Sequence, residues 1–510
     1  MVHNELSGNV VDLCPVGALN NAPYSFQARP WELKSNYTID VMDALGSNID
    51  AHTRGSDLLR ILPRINEEVN EEWISDKSRH AFDGLKKQRL TMPLKRNEDG
   101  SFTDLTWQEA LEEAGKRLAA VEGNEIQGII GQFQDVESIV AFKDLLNRLN
   151  CDNLDVRSNA PHFNADFRSS YLMNSTITGI DETDLLILVG TNPKTENPVL
   201  NARIRKSIWV NGLEVAVIGP ANNLAYNYRH IGNTLQTLKD IADGTHPYCE
   251  RLEQADLPMI IVGAETLTRD DGPAIMNLIK EIGVKYNVVN EKENWNGINV
   301  LHNEASRVGA LDLGITPQKS NEHSKLVFLL GADNFRPEDI EDNSNPFVIY
   351  MGHTGDEGVY YADLILPTSS YLEKQGTFVN TDGRVQQTRA AVSAPGQAKD
   401  DWMVLRALSE EMGNPLPYDS LDEVRTRIAE LAPHLVKYDH IERSSVFEEI
   451  ALTPGADQHV HKNLLTDPVD NFYMTDAISR NSHIMARCSK ELNPHKQSNF
   501  KMWHNEWFTH

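Results

Sequence analysis

The segment Asp184-Leu185-Leu186-Ile187-Leu188-Val189-Gly190, followed by the turn Thr191-Asn192-Pro193, decides the fold class. Every residue from Leu185 to Val189 is apolar, which is typical of a strand buried on both faces of a parallel sheet. A basic helical segment with Arg203, Arg205 and Lys206 comes next. This order of strand, turn and helix predicts one unit of an α/β sheet with helices on both faces.

The same unit recurs along the chain. Further strands are predicted at Gln127–Phe133, Glu214–Gly219, Pro258–Gly263, Leu326–Gly331, Phe347–Met351 and Asp363–Leu366. Helices are predicted after the capping box Thr106-Trp107-Gln108-Glu109, at Val136–Asn150 and at Trp402–Met412. Several strands end in glycine, where doubly wound sheets place ligands, although the need to turn the chain explains most of these glycines equally well. The sequence therefore predicts an α/β protein with doubly wound, mostly parallel sheets.

The region from Ala28 to Arg96 reads as a small, strand-rich domain, with candidate strands at Ile39–Met42 and Leu58–Leu62. An acidic group follows the second strand. It could bind a metal ion, but a solvated face balanced by nearby cations is the favoured interpretation. The acidic residues are Glu67, Glu68, Glu71 and Glu72, and the cations are Lys77, Arg79, Lys86 and Lys87.

From about Thr453 the sheet pattern is lost, and the chain ends with four aromatic or imidazole side chains, Trp503, His504, Trp507 and Phe508. A late segment without a core of its own either docks on another surface or packs against its own domain. The pattern leaves both alternatives open.

The composition excludes several classes of partner. A net charge of −26 over 510 residues argues against binding to nucleic acid or to an anionic lipid surface. No apolar run approaches the roughly 18–20 residues that span a bilayer, so no direct membrane insertion is expected. Four cysteines do not form a disulfide framework, which favours a reducing compartment.

Cys14-Pro15-Val16-Gly17 is the motif with the clearest chemistry. Proline fixes the backbone after the cysteine, and glycine permits a tight turn that brings backbone N–H groups towards sulfur. The remaining cysteines, Cys151, Cys249 and Cys488, form no Cys-x-x-Cys pair, and the histidines show no ligand spacing. Spacing alone favours buried or incidental thiols at all four positions.

Longer motifs resemble known families. Gly190–Pro193, Gly352–Gly355, Tyr361–Pro367 and Glu373–Gln386 resemble molybdopterin oxidoreductases such as formate dehydrogenases. Within that superfamily, four segments resemble the large iron–sulfur subunit of respiratory complex I (NADH:ubiquinone oxidoreductase). These segments are Cys14–Leu19, Pro23–Glu32, Asn70–Lys77 and Phe472–Arg480, and the last is similar to the mitochondrial form in particular.

The resemblance implies a cofactor and a partner. Members of this family begin with a ferredoxin-like 2Fe–2S domain and further cluster cysteines, and the resemblance begins after them. It therefore implies the C-terminal part of a split or truncated subunit, in which Cys14 is the fourth ligand of a 4Fe–4S cluster. A separate chain with the N-terminal iron–sulfur half would supply the other three thiolates.

The resemblance also implies four regions. Residues 1–28 would complete the partner's cluster domain, and 29–100 would be a degenerate cluster domain, since no cysteine lies between Cys14 and Cys151. Residues 101–452 would be degenerate molybdopterin-oxidoreductase α/β domains, and 453–510 a docking tail. No molybdopterin is expected, and five residues are interpreted as remnants of a cofactor cleft: Gly190, Asn192, Gly376, Asn380 and Gly383.

The implied function is electron transfer from NADH, through flavin on a partner subunit and iron–sulfur clusters, to ubiquinone. The chain would not be catalytic alone and would work with other complex I subunits, in the peripheral arm on the matrix side of the mitochondrial inner membrane. Two alternatives remain: a free-standing molybdopterin oxidoreductase of formate dehydrogenase type, and a structural subunit without a cluster ligand.

Overall fold

The computed structural model describes residues 4–156, 163, 165–316, 324–333, 335, 346–442 and 463–492. The four C-terminal side chains from Trp503 to Phe508 lie outside the described residues.

The described strands are, in chain order, β1 (Lys34–Ile39), β2 (Asn48–Arg54), β3 (Asp57–Pro63), β4 (Leu94–Arg96), β5 (Phe102–Asp104), β6 (Ile126–Ile130), β7 (Leu154–Asp155), β8 (Leu185–Val189), β9 (Glu214–Ile218), β10 (Arg229–Gly232), β11 (Pro258–Gly263), β12 (Val289–Asn290), β13 (Trp295–Asn296), β14 (Ile298–Leu301), β15 (Leu326–Leu330), β16 (Phe347–Gly352), β17 (Leu364–Pro367), β18 (Thr377–Val379) and β19 (Val385–Gln387). The described α-helices are α1 (Asn9–Leu13), α2 (Asp76–His80), α3 (Trp107–Ala119), α4 (Val136–Arg148), α5 (Pro193–Glu196), α6 (Pro198–Val210), α7 (Leu235–Asp243), α8 (Cys249–Glu253), α9 (Gly272–Lys285), α10 (Arg307–Asp312), α11 (Glu357–Tyr361), α12 (Asp401–Glu411), α13 (Leu421–Leu431), α14 (Ala477–Arg480) and α15 (His483–Leu492).

The small domain consists of β1, β2 and β3, which form an antiparallel sheet with β2 in the centre, and of α2. β3 confirms the strand predicted at Leu58–Leu62. The strand predicted at Ile39–Met42 is wrong, because β1 ends at Ile39. The apolar residues Val41 and Met42 are buried in the loop that follows, so the apolar pattern reported burial and not strand pairing.

The first large sheet has the order β5-β4-β17-β16-β15-β6-β7, in which β17, β16, β15, β6 and β7 are parallel. All residues of the central strand β15 are buried. Its alternate side chains enter two different cores, one shared with α3, α4 and α12 and the other with α11. The apolar run of β15 is therefore explained by helices or loops on both faces of the sheet.

The second large sheet has the order β10-β9-β8-β11-β14, and all neighbours are parallel. Leu185, Ile187 and Val189 of β8 pack towards α7 and α9, while Leu186 and Leu188 pack towards α6. The predicted α/β class with doubly wound, mostly parallel sheets is thus confirmed. The expected boundary after residue 100 falls between β4 and β5, which pair with each other.

The described C-terminal segment, residues 463–492, packs on its own chain. The backbone N–H of Leu465 donates to the carbonyl of Asn233, beside the second sheet. Farther along, Phe472, Ile478 and Met485 enter the core of the small domain. Of the two alternatives left open by the sequence, these residues follow packing against the chain's own domains.

Candidate functional site

Cys14 directly follows α1, and its side chain is partly exposed. The backbone N–H of Leu19 points at the Sγ atom from 3.5 Å. Between them, Gly17 has a φ of +65°, a conformation that glycine adopts without strain. A Cβ at Gly17 would meet no atom within 4 Å, so the dihedral angle and not lack of space requires glycine. The turn wraps backbone N–H groups around the sulfur, as the motif predicted.

These N–H groups change the chemistry of the thiol. Hydrogen bonding from the backbone of Leu19, and next from that of Val16, lowers the pKa of Cys14 below its usual value, and Ala18 and Gly17 contribute in the same direction. The thiolate is the form that ligates metals. Cys14 is therefore a partly exposed sulfur prepared for ligation.

The other three cysteines lie in or against hydrophobic cores. Cys151 is buried with its Sγ 3.3 Å from the carbonyl of Ile126, and burial raises its pKa to about 11. Cys249 is buried with its Sγ 3.7 Å from the carbonyl of Ile241. Cys488 packs against the core of the small domain, and burial raises its pKa. Among the described residues, no group of three or more His, Cys, Asp or Glu side chains is placed to hold a metal ion.

The interior of the small domain holds charged and hydroxyl side chains where a cluster domain would need thiolates. The Oγ atom of Ser78 donates to Asp40 at 2.5 Å, and Lys77 donates to Thr475 at 2.9 Å. Burial raises the pKa of Asp40 to about 7, and the nearby Asp43 adds to this shift. These residue types do not fit a thiolate-bound cluster.

At the carboxyl edge of the first sheet, a buried ion triad occupies the position where such folds bind ligands. Lys374, which follows β17, contacts Asp135 at 2.5 Å and also pairs with Asp401. All three side chains are at most 4% exposed. Although burial lowers the pKa of Lys374, the two carboxylates raise it above the usual value.

A second buried ion group lies at the carboxyl edge of the second sheet. Arg307 contacts Glu304 at 2.7 Å and Glu265 at 3.3 Å, and only 2% of its side chain is exposed. Close by, Glu196 accepts hydrogen bonds from the hydroxyl of Thr191 and from the backbone of Asn192. Burial raises the pKa of Glu196 to about 7 against these hydrogen bonds.

The C-terminal segment covers the same edge. Asp467 accepts one hydrogen bond from the side-chain amide of Asn192 and one from that of Asn222, both at 3.0 Å. These asparagines follow β8 and β9, which lie side by side in the sheet. The chain's own carboxylate thus occupies the two amides that a ligand in this crevice would meet.

The five residues interpreted as cleft remnants are engaged within the chain. Asn380 donates to the carbonyl of Leu45 at 3.1 Å. A Cβ at Gly376 would lie 2.6 Å from that of Asp135, and one at Gly190 would clash with Thr266. Gly383 has a φ of +84° in the turn between β18 and β19. These positions are explained by turns and close packing.

The sequence did not reveal the charged residues of these groups. Lys374 lies in the motif Glu373–Gln386, which indicated no role for it, and its place after a buried strand was the available signal. Arg79 and Lys77 were assigned to a solvated face, yet both are buried. Asp467 carried no local signal. None of the described helices is both long enough and apolar enough to cross a membrane.

Comparison with known proteins defines the class. The family described as molybdopterin oxidoreductase matches residues 89–411. The structure of acetylene hydratase from Pelobacter acetylenicus shares the fold with a TM-score of 0.51 and 12% identity, over 90% of this chain and 81% of that one. The large domains are thus of the molybdopterin-oxidoreductase class.

Two further family matches flank that region. Residues 33–83 match the NADH-ubiquinone oxidoreductase NDSU1/NuoG-like 4Fe-4S domain, and residues 440–488 match a C-terminal domain of NADH-ubiquinone oxidoreductase. The chain is 46% identical to the NADH-ubiquinone oxidoreductase 75 kDa subunit of Reclinomonas americana and 48% identical to the mitochondrial 78 kDa subunit of Candida albicans. Each alignment covers 96% of this chain, and 72% and 68% of the respective relatives.

The chain belongs to the family of the 75 kDa iron–sulfur subunit of NADH-ubiquinone oxidoreductase. The resemblance inferred from the sequence is confirmed, and with it the assignment to a subunit of an electron-transferring oxidoreductase complex. The match at residues 33–83 contains no cysteine in this chain. The domain is therefore related to a 4Fe–4S domain but lacks the thiolates that would hold a cluster.

Proposed function

We propose that Cys14 ligates one iron of a 4Fe–4S cluster that this chain shares with a separate polypeptide, and that the chain thereby takes part in electron transfer from NADH to ubiquinone. The turn of backbone N–H groups around Cys14 supports this proposal most strongly. When bound, the cluster supplies one-electron transfer. The chain contributes a thiolate, and N–H groups that hydrogen-bond to sulfur and so tune the potential.

The positions of the other cysteines support a shared site. A 4Fe–4S cluster takes four thiolates, and Cys151, Cys249 and Cys488 are held in or against cores by the packing already described. The remaining three ligands would therefore come from outside this sequence. A chain carrying the N-terminal iron–sulfur half of the family fits that requirement.

The surface around Cys14 is suited to a protein partner. Four apolar side chains flank it in sequence and are strongly exposed: Val10, Leu13, Val16 and Leu19, with Val16 82% exposed. Contiguous exposed apolar residues mark interaction surfaces. A partner that supplies thiolates would also cover these residues and exclude water from the cluster.

The large domains would serve as a scaffold without bound molybdopterin. The carboxyl edges of both sheets are occupied by the chain's own ion groups, centred on Lys374 and Arg307, and by Asp467. A pterin dinucleotide would have to displace these buried charges, each of which would lose its partner. Elemental analysis of the purified complex should find neither molybdenum nor tungsten in proportion to this chain.

The proposed location is the peripheral arm of mitochondrial complex I, on the matrix side of the inner membrane, beside the flavin-bearing subunits that oxidise NADH. The mitochondrial relatives and the acidic charge, which suits protein partners better than anionic surfaces, support this location.

The test uses the assembled complex and two cysteine variants, Cys14→Ala and the control Cys488→Ala. Electron paramagnetic resonance of the reduced complex should lose one 4Fe–4S signal in Cys14→Ala and retain every signal in Cys488→Ala. Mass spectrometry of the purified complex should identify a companion polypeptide with clustered cysteines. Unchanged signals in Cys14→Ala, or no such polypeptide, would refute the shared ligand.

A further inference from the structure

The direction of Cys14 depends on a helix that cannot be stable alone. α1 has only five residues, and isolated helices shorter than about 12–15 residues are marginal in water. Its C-cap is Cys14. Contacts between α1 and the rest of the protein must therefore decide where the sulfur points.

One buried side chain makes two of these contacts. The Nη2 atom of Arg79 donates to the Oδ1 atom of Asn9 at 2.8 Å and lies 2.6 Å from the Oδ2 atom of Asp12. Asn9 and Asp12 lie one helical turn apart on α1, so a single guanidinium spans the helix. Only 1% of the Arg79 side chain is exposed, whereas 31% of the Asp12 side chain is exposed.

The same short helix, α2, also holds the backbone that enters α1. The N–H of Gly8 donates to Asp76 at 2.6 Å, and the N–H of Asp76 donates to the carbonyl of Glu5 at 2.7 Å. The side-chain amide of Asn9 donates to the carbonyl of Ile74 at 2.7 Å. Residues on and before α2 thus hold α1 from its N-terminus to its last turn.

Gly8 shows how closely the two segments approach. Its φ of −63° is open to any residue, so backbone conformation does not require glycine there. A Cβ at Gly8 would lie 2.7 Å from the Cδ atom of Arg79 and 2.8 Å from the Oδ1 atom of Asp76. Any side chain at this position would therefore push α1 away from Arg79.

We infer that Arg79 is a positioning residue for the cluster ligand Cys14, acting through α1. This inference rests on the proposed role of Cys14. Without the guanidinium, Asn9 and Asp12 lose their shared partner, and α1 can leave the surface of the small domain. The sulfur would then no longer be held where the other ligands of the cluster meet it.

The experiment compares Arg79→Ala with Arg79→Lys in the assembled complex. The control is Arg203→Ala, which removes another buried arginine that contacts a carboxylate, Asp181, at 2.7 Å in the second large domain. The first readout is hydrogen exchange in α1. It should accelerate about a hundredfold or more in Arg79→Ala, as expected when a buried ion pair loses one partner, and should be unchanged in Arg203→Ala.

The second readout is the cluster itself. Iron release to a chelator should be about 10- to 100-fold faster in Arg79→Ala, the usual effect of removing an outer-shell partner. The paramagnetic signal that requires Cys14 should broaden or shift. Arg79→Lys keeps the charge but cannot span both partners, so its effect should be intermediate. If Arg79→Ala does not assemble, Asp12→Ala removes one contact at a partly exposed position and should show the same changes to a smaller degree.

The outcomes separate this inference from the proposed function. If Cys14→Ala loses the signal while Arg79→Ala and Asp12→Ala behave like Arg203→Ala, the positioning role is refuted and the ligand role stands. If Cys14→Ala retains every signal, the ligand role fails first, whatever the Arg79 variants show.

Discussion

Replacing Lys374 with methionine tests whether the ion triad at the carboxyl edge of the first sheet holds that domain together. Methionine keeps an unbranched side chain of similar length but removes the ammonium between Asp135 and Asp401. Both carboxylates are almost fully buried, at 2% and 0% exposure of their side chains. They would face each other without a cation and with little access to water.

The expected loss is large. Removing one partner from a buried ion pair costs about 3–5 kcal/mol, because the remaining charge stays in a poorly solvating environment. The loss should also depend on pH. Burial already raises the pKa of Asp401, so its folded state is favoured at low pH and that stability is lost as the pH rises. The deficit of Lys374→Met should therefore be greatest near pH 8 and smaller near pH 5.

Urea unfolding followed by near-ultraviolet circular dichroism measures this effect. The matched control is Lys325→Met, which removes an exposed lysine that contacts Glu125 at 2.5 Å. Exposed pairs contribute little, so this variant should unfold at the midpoint of the unmodified protein. Equal midpoints for Lys374→Met and Lys325→Met, at pH 8, would refute the reasoning.

Three further predictions concern the other edge, the C-terminal segment and the thiol. Glu196→Gln should stabilise the protein at pH 8 by up to about 3 kcal/mol and change little near pH 4, because the raised pKa of about 7 means that the glutamate loses stability as the pH rises between these values; unfolding at several pH values measures it. Arg480→Ala should expose the C-terminal segment to limited proteolysis, because it removes the buried contact of 2.6 Å with Asp356. Gly17→Ala should slow alkylation of Cys14 by iodoacetamide at pH 7, because a side chain disfavours the φ of +65° by about 1–2 kcal/mol and loosens the N–H groups around the sulfur.

Each of these predictions has a contradicting result. A stability difference that is the same at pH 4 and pH 8 would show that ionisation of Glu196 is not the cause. Proteolysis of Arg480→Ala at the same sites and rates as the parent would show that the ion pair does not hold the segment. Gly55→Ala is the control for the thiol, since Gly55 also has a positive φ, of +63°, with open space around it. Alkylation of Cys14 should be unaffected by that change.

Local sequence determined the elements of the fold. The strands β8, β9, β11, β15, β16 and β17 were predicted from apolar runs, because a strand buried on both faces needs apolar side chains at consecutive positions. The Thr106 capping box likewise predicted the start of α3, because its hydrogen bonds join residues three positions apart. The error at Ile39–Met42 has the same origin, since apolar residues in a buried loop produce the pattern of a strand.

The motif around Cys14 was also readable, because proline, glycine and the N–H groups that surround the sulfur all lie within five residues. The partners of the buried charges were not. Asp467 meets Asn192 across 275 positions of the chain, and Arg79 meets Asn9 across 70. A lysine or arginine has the same side chain on a solvated face as in a buried ion group, so only the tertiary structure decided which cations are buried. It likewise decided what fills the ligand crevices of both sheets, because that depends on which distant segments fold against their carboxyl edges.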